Sequence, residues 1–157
     1  MVPWYPKAIL SVTACLFLAL RFVPGFRRRV SEVDLRVLIG VHLVRFVGIY
    51  FLYLYAQGEL PYRFAVWGGS GDIAVATLAL IVMRLAARKA VVGAWNVLGL
   101  ADIIGVVVTA ARSEMAVPGS MHQLNQFPLI LLPTVVVPVI IVTHAVMLAR
   151  MSGVRTG

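Results

Sequence analysis

Charge and cysteine are both scarce in this sequence. Only 13% of its 157 residues are charged, about half of the roughly 25% usual in soluble domains, whereas 61% are hydrophobic. A soluble fold of this length could not bury so much apolar side chain, so the composition excludes an ordinary soluble domain and predicts a membrane protein. The single cysteine, Cys15, excludes an internal disulfide and any metal site built from cysteines alone.

Recognised catalytic motifs are absent as well. The sequence contains no Walker loop, dinucleotide fingerprint, HExxH, GxSxG or paired CxxC motif, so we expect no enzyme of a known type. Its net charge of +8 would suit a nucleic-acid partner only if a soluble fold displayed a basic face. Here the basic residues stand in short clusters between apolar runs, as in membrane proteins, and no nucleic-acid partner is expected.

Five apolar stretches reach the length of about 20 residues that crosses ~30 Å of hydrocarbon. They cover approximately residues 6–23, 37–56, 64–85, 91–111 and 128–149. The whole chain, residues 1–157, is therefore predicted to be one all-α integral membrane domain, a polytopic bundle of five transmembrane helices. "VTAC" at residues 12–15 resembles a lipoprotein cleavage box. The apolar stretch before it is too short for a signal peptide, and the sequence after it stays hydrophobic, so a membrane helix is expected.

The connections between these stretches carry turn and cap signals. "VPGFRRRVSEVD" predicts a Pro-Gly turn, an arginine triplet and a capping box in which Ser31 is the N-cap and Asp34 follows three residues later. "QGELPYR" and "ARKA" are short connections, and "RSEMAVPGSMHQLNQF" is the one long loop of the sequence.

Basic residues near the ends of the spans predict the orientation of the chain. Ten lie on one side: Arg21, Arg27, Arg28, Arg29, Arg36, Arg84, Arg88, Lys89, Arg150 and Arg155. Three lie on the other: Lys7, Arg63 and Arg112. Because the cytoplasmic connections of membrane proteins carry the excess of arginine and lysine, the N-terminus is predicted outside and the C-terminus inside. An aromatic belt is predicted at the outer boundary, formed by Trp4, Tyr5, Tyr55, Tyr62 and Trp67.

Six polar side chains fall inside the spans, where a charge is costly and normally faces the protein interior. Counting inward at about 1.5 Å per residue sorts them into two layers. Arg45, Asp102 and Asp72 lie ~12, ~16 and ~19 Å from the inner face, near the midplane. The other layer, ~7 Å from that face, consists of His42, Asn96 and His144. The two layers predict one polar interior shared by four spans. His42 and Arg45 are three residues apart and are expected to share one face of the second span. Asn96 and Asp102 are six residues apart, so their predicted directions on the fourth span differ by about 120°.

Small residues around Asp72 indicate how its carboxylate reaches a positively charged partner. They are Gly68, Gly69, Gly71 and Ala74. Because small residues let a neighbouring helix approach closely, this segment predicts a tight crossing that brings Asp72 to Arg45. Arg45 carries one positive charge, and Asp72 and Asp102 carry two negative charges if both are ionised. Either one aspartate then holds a proton, or a cation joins the site.

The two histidines admit a second interpretation. His42 and His144 stand at matching depth on different spans, as the axial ligands of a b-type haem do. Arg45 would then receive a propionate, and Gly40 and Gly48 are the nearest glycines that would face the macrocycle. Two histidines are too few for a zinc site unless an aspartate or asparagine adds a third ligand.

Two prolines interrupt the fifth span. Pro133 and Pro138 each remove a backbone donor and free a carbonyl about one turn earlier. Such a pattern fits either an ordinary kink or a broken helix that lines a cavity, as in transporters.

Three phrases of the sequence resemble known proteins. They are "HLVRFVGIYFLYLYAQGELPYRFAVWGGSGD", "WNVLGLADIIGVVV" and "FPLILLPTVVVPVIIVTH". Together they resemble small multi-pass bacterial inner-membrane proteins of an uncharacterised family, over residues 40–150. The resemblance implies a helical membrane fold in the bacterial cytoplasmic membrane and brings no activity with it.

The leading hypothesis is a membrane protein that binds a small polar or cationic ligand with proton coupling, and translocation of that ligand is the extension of this hypothesis. Arg45 would be the counter-ion, Asp72 or Asp102 the titratable group, and Asn96 and His144 the inner part of the path. A transporter this small is expected to be a homo-oligomer in the lipid bilayer. One alternative is a haem b protein for electron transfer or sensing. The other is a structural accessory subunit of a membrane complex, in which the polar residues only hold the helices in register.

Overall fold

Helices make up the fold. The computed structural model describes residues 3–152, which form six helices, one short 3₁₀ segment (His122–Asn125) and no strand. Five of the helices are long and apolar enough to cross a membrane. They are α1 (Trp4–Phe22), α3 (Leu35–Ala56), α4 (Arg63–Arg84), α5 (Lys89–Ala116) and α6 (Leu132–Met151). The prediction of an all-helical fold with five long apolar helices is confirmed.

Each predicted span overlaps one of the helices, and the largest differences are in the fourth and the fifth. The fourth was ended too early, because α5 continues to Ala116 rather than ending at residue 111. The fifth was placed too early, because α6 begins at Leu132 rather than at residue 128. Residues 128–130 are apolar but form turns, and hydropathy does not distinguish an apolar turn from an apolar helix. Pro133 stands in the first turn of α6, where a proline costs no intrahelical hydrogen bond.

The connection after α1 is helical, which corrects the predicted Pro-Gly turn. It forms α2 (Pro24–Glu32), with Pro24 as the first helical residue, a position that suits the fixed φ of proline. Ser31 is inside this helix and donates to the Arg28 carbonyl at 2.7 Å, so it is not the N-cap of α3. Asp34 caps α3 instead, accepting from the Arg36 N–H at 2.6 Å.

Helix α3 changes to 3₁₀ geometry in its middle, over Val41–Phe46. In a 3₁₀ helix residues three apart are eclipsed, so His42 and Arg45 leave α3 in the same direction, and both are buried. The expectation that these two side chains share one face is met. Helices α4 and α6 each begin with a π-helical segment, over Arg63–Gly68 and Leu132–Val136.

Helices α3 and α4 cross with their backbones in contact. A Cβ atom on Gly48 would overlap the Gly69 carbonyl oxygen, and a Cβ atom on Gly69 would lie 2.9 Å from the Gly48 carbonyl oxygen. This is the close approach that the glycines before Asp72 predict. Ala74 is exposed and takes no part in the crossing.

Because the helices pack antiparallel, the connections and the chain termini lie at the two ends of the bundle. At one end, which we call the basic end, the Arg150 side chain donates to the Val33 carbonyl at 2.7 Å, and Gly93 approaches Met151. At the opposite end the Trp4 indole N–H donates to the Asn125 side chain at 2.7 Å. The predicted grouping of the basic residues at one end is therefore consistent with the packing, and Arg155 lies outside the described residues.

The aromatic residues at the opposite end differ from the prediction at one position. Trp4, Tyr55, Tyr62 and Trp67 are exposed, as a belt requires. Tyr5 is only 3% exposed, because its ring packs in the core and its hydroxyl donates to the Ala110 carbonyl at 2.9 Å. Tyr5 therefore belongs to the interior of the bundle.

Candidate functional site: a buried arginine beside an apolar cavity

Arg45 is the centre of a cluster that joins three helices. Its side chain is 1% exposed, and its Nε donates to Asp72 Oδ1 on α4 at 2.6 Å. Its Nη1 donates to the Gly99 carbonyl on α5 at 2.9 Å, and its Nη2 donates to the Asp102 carboxylate on the same helix. The predicted contact between Arg45 and Asp72 is present, and Asp102 completes what we call the arginine cluster: Arg45, Asp72 and Asp102.

The arginine cluster is unbalanced in charge. One guanidinium faces two carboxylates, so the cluster carries a net charge of −1 if both aspartates are ionised. Asp72 is 3% exposed, whereas the Asp102 side chain is 25% exposed. Because a buried charge without a partner is expensive, the second carboxylate is a place for a proton or a cation.

Asp102 fits beside α4 because α4 has a glycine there. A Cβ atom on Gly71 would overlap the Asp102 carboxylate. The absent side chain therefore lets Asp102 of α5 lie against α4 where it reaches Arg45. Of the glycines before Asp72, Gly69 brings the helices together and Gly71 makes room for the second acid.

An apolar cavity lies against the arginine cluster. Its volume is about 40 Å³, room for a few water-sized groups. Arg45 and Asp72 line it, and the apolar part of its wall includes Tyr5, Ile9, Phe51, Phe64, Val106 and Ile140. Pro133, from the π-helical start of α6, also lines it, so the irregular part of that helix faces a cavity as a broken helix would. Val44, another lining residue, is exposed at the bundle surface.

The second polar layer forms a separate group that we call the histidine cluster: His42, Asn96 and His144. All three residues are 0% exposed. His144 Nδ1 lies 2.5 Å from Asn96 Oδ1, and the Asn96 amide donates back to the His144 carbonyl at 2.9 Å. The two imidazole rings are in contact, with centroids 4.2 Å apart. Asn96 and Asp102 serve different clusters, in keeping with the angle of about 120° between their predicted directions.

This geometry does not fit the haem hypothesis. An axial pair holds the iron and the macrocycle between its two nitrogens, whereas the rings of His42 and His144 touch each other. The space beside Gly48, where a macrocycle was predicted to pack, is filled by the α4 backbone at Gly69. A Cβ atom on Gly40 would lie 3.7 Å from the Met83 side chain, so that side is filled as well. Within residues 3–152 no group of three or more His, Cys, Asp or Glu side chains could hold a metal ion.

One ring nitrogen of each histidine makes no hydrogen bond within the described part of the chain. These are Nδ1 of His42 and Nε2 of His144. The second nitrogen of His42, Nε2, lies 3.2 Å from the Thr143 hydroxyl. His144 Nε2 faces the backbone of Gly99, where a Cβ atom would stand 3.2 Å away. The unpaired nitrogens are enclosed by the packed bundle and have no route to a ligand in this conformation.

Sequence reasoning missed three residues that complete the two clusters. Gly99 supplies a carbonyl to Arg45 and leaves space for the His144 ring. Thr143 contacts His42, and the Trp95 ring packs edge-on against His42 with centroids 5.1 Å apart. The available signal was position, because Gly99 lies midway between Asn96 and Asp102, and Thr143 and Trp95 each adjoin a residue of the histidine cluster.

The fold and the site define a class of protein: a bundle of five helices, each long and apolar enough to cross a membrane, with a buried arginine–aspartate cluster beside an apolar cavity. The chain belongs to the family described as a domain of unknown function, DUF8737, whose profile matches residues 2–152. No curated protein and no solved structure matches the chain.

Proposed function

We propose that this protein spans the bacterial cytoplasmic membrane and binds a small ligand with a cationic or polar end beside the arginine cluster. The apolar body of the ligand would enter the cavity, which must widen beyond its volume of about 40 Å³ to take a chain of several carbons. The cationic end would meet Asp72, which lines the cavity, while Asp102 shares the excess charge through Arg45. The observation that carries this proposal is the unmatched negative charge of a buried cluster that borders a cavity.

Exposure of apolar surface supports the membrane part of the proposal. In each long helix only 17–39% of the most apolar window is buried inside the bundle. Large apolar side chains such as Leu98, Ile49 and Leu10 are 58–70% exposed. A surface of this kind is stable only where lipid covers it. The excess of arginine and lysine at the basic end supports an N-out, C-in orientation.

Charge balance supports coupling to protons. When the site is empty, a proton on one carboxylate would leave Arg45 with a single negative partner. A cationic ligand would replace that proton, because both neutralise the same excess charge. Binding of the ligand would therefore release a proton. We also propose that a transporter this small would act as a homo-oligomer.

Packing of the histidine cluster supports binding more strongly than translocation. A path from the cavity to the basic end would pass between His42 and His144, whose rings are in contact and fully buried. Translocation through the bundle requires these rings to separate and the bond between His144 and Asn96 to break. This packing favours the proposal of a binding site over that of an open path.

The test uses butylamine as a small cationic probe, with butanol and butyrate as neutral and anionic probes of the same length. We expect butylamine to raise the melting temperature of the purified wild-type protein in a concentration-dependent way, because a ligand that binds only the folded state stabilises it. Butyrate should have no such effect. In weakly buffered solution, butylamine binding should also release protons.

Asp102→Asn and Asp72→Asn each bring the cluster to net neutrality, so both should abolish the preference for butylamine over butanol. Glu32→Gln is the matched control, because it removes a carboxylate that is 62% exposed and paired with Arg28. If the amine effect is the same in wild type and in both aspartate variants, the proposed site is wrong.

A second candidate function is structural: the arginine cluster would hold the helices of the bundle together, as in an accessory subunit of a membrane complex. It is favoured by the bonds that Arg45 makes to α4 and α5 from its place on α3. A locking role predicts that Arg45→Met/Asp72→Leu/Asp102→Leu regains most of the stability lost in Arg45→Ala, since a buried ion pair can often be replaced by apolar residues of similar volume. If the triple variant keeps both its fold and its response to butylamine, the ligand site lies elsewhere and the cluster is structural.

A further inference from the structure

A second cavity, at the basic end, combines arginines with an apolar wall. It lies between α1, α2 and α6 and has a volume of about 450 Å³. Its polar lining is Arg21, Arg27, Ser31 and Arg150. Its apolar lining is Phe17, Leu20, Val30, Ala145, Val146 and Ala149. We call this cavity the arginine groove; it is separate from the cavity beside Arg45 and plays no part in the function proposed above.

Arg150 is held in place without losing its charge. Its Nη1 donates to the Val33 carbonyl at 2.7 Å, and its Nη2 donates to the Val30 carbonyl. Both acceptors are neutral main-chain groups at the C-terminal end of α2, so they orient the guanidinium without neutralising it. A positioned guanidinium is the group that proteins use to bind phosphate.

Arg21 brings a second positive charge to the groove. It stands in the last turn of α1, and its guanidinium lies 5.5 Å from the centre of the Phe22 ring. Within residues 3–152 no carboxylate pairs with Arg21 or with Arg150. Glu32, the acid of α2, pairs with Arg28 on the exposed side of that helix at 2.9 Å. The groove therefore has an excess of positive charge.

The apolar lining lies on the same helices as the arginines. Phe17 precedes Arg21 by one turn and Leu20 adjoins it, while Val146 precedes Arg150 by one turn and Ala149 adjoins it. An occupant with a negative end and an apolar chain matches both parts of this lining. A soluble anion would match only the first part.

We propose that the arginine groove binds an anionic phospholipid, with the phosphate between Arg21 and Arg150 and an acyl chain along the apolar lining. Basic pockets at the cytoplasmic ends of transmembrane helices recognise lipid head groups by this combination of charge and depth. The proposal rests on the membrane assignment made above but not on the ligand of the arginine cluster, so either proposal can fail while the other holds.

The test is native mass spectrometry of the full chain in detergent, with equal amounts of phosphatidylglycerol and phosphatidylcholine. We expect the wild-type protein to retain phosphatidylglycerol preferentially. Arg21→Gln should reduce that preference about fivefold, the effect of one basic residue near an anionic lipid surface. Arg84→Gln is the matched control, since Arg84 is an exposed arginine in the last turn of α4 outside the groove.

A second variant tests the apolar part of the groove. Ala145→Phe fills the lining without changing any charge, so it should weaken binding of both lipids together. Arg150→Gln is less informative, because it also removes the bonds to the end of α2. Equal retention of the two lipids by the wild type, or an equal loss in Arg21→Gln and Arg84→Gln, would overturn the proposal. Full displacement of the lipid by millimolar inorganic phosphate would also overturn it, in favour of a soluble anion site.

Discussion

Two buried polar clusters lie side by side in this bundle, and they differ in charge and in access. The arginine cluster contains three charged groups of unequal sign and borders a cavity. The histidine cluster is fully buried, is joined by the hydrogen bonds between His144 and Asn96, and does not line that cavity. Polar residues inside apolar helices thus have two different uses: an unbalanced charge beside a cavity can meet a ligand, whereas a closed hydrogen-bonded group holds helices together.

Gly99 is the link between the two clusters. Its carbonyl accepts from Arg45, and its α-carbon lies against the ring of His144. A structural change in either cluster would therefore alter the contacts of Gly99 on α5. Separating the two roles requires variants that affect one cluster, the other, and the junction.

Removing Arg45 should have the largest effect on stability. Arg45→Ala leaves two buried carboxylates without a cation, which is expected to lower the free energy of unfolding by about 3–5 kcal/mol. Unfolding by dodecyl sulfate titration in detergent would measure it. The control is Arg28→Ala, which breaks an exposed i,i+4 pair worth about 0.3–0.5 kcal/mol. Equal losses in the two variants would show that the arginine cluster does not stabilise the fold.

A change at Gly99, the junction between the two clusters, should have the next largest effect on stability. Gly99→Ala places a Cβ atom 2.8 Å from Cε1 of the buried His144 ring, so the ring must move, at an expected cost of about 1–3 kcal/mol. Gly105→Ala on the same helix is the control, because nothing lies within 4 Å of a Cβ atom there. That control should be neutral or stabilising, since alanine is the better helix former. The same titration measures both, and a harmless Gly99→Ala would contradict the close packing of the junction.

Asn96→Leu tests the histidine cluster alone. It removes both hydrogen bonds to His144 and leaves Nδ1 of that ring unpaired, so the free energy of unfolding should fall by about 1–2 kcal/mol. Butylamine should still raise the melting temperature of the folded variant, because the arginine cluster is intact. Loss of the amine response in Asn96→Leu would mean that the two clusters form one ligand site, and the comparison drawn above would be wrong.

Thr143→Val should have the smallest effect. It removes the hydroxyl beside Nε2 of His42 and should cost about 0.6 kcal/mol, the average for a side-chain hydrogen bond between membrane helices. Thr109→Val is the matched control, because Thr109 makes only the local bond to a carbonyl of its own helix, at 2.7 Å. Thermal unfolding of the two variants in detergent measures the difference, and a cost for Thr143→Val no greater than for the control would remove Thr143 from the cluster.

Several parts of the site could be predicted from the sequence because they depend on distance along a helix. Depth within each span grouped Arg45 with the two aspartates and His42 with Asn96 and His144, and the members of each group do lie together. The glycines before Asp72 predicted the close crossing, since a residue without a side chain is what permits two backbones to touch. The spacing of three between His42 and Arg45 predicted their shared direction.

Other features depend on the rotation of each helix about its axis, which periodicity did not reveal. Tyr5 was placed in an exposed belt, yet it packs in the core, because α1 turns that residue towards α5. His42 and His144 were paired around a haem, yet their rings face each other directly. The local backbone also escaped prediction at "VPGFRRRVSEVD", where a short helix replaces the expected turn.

The amino-acid sequence alone established the five long apolar helices, the basic end and the presence of charged groups at similar depth, because hydropathy, charge and a rise of about 1.5 Å per residue are properties of a single segment. Only the tertiary structure decided that Asp102 joins Asp72 at Arg45, that Gly99 connects the clusters, and that the cavity borders one cluster and not the other. Those facts depend on how the helices rotate and pack against one another, and packing is decided by all the side chains at a contact together.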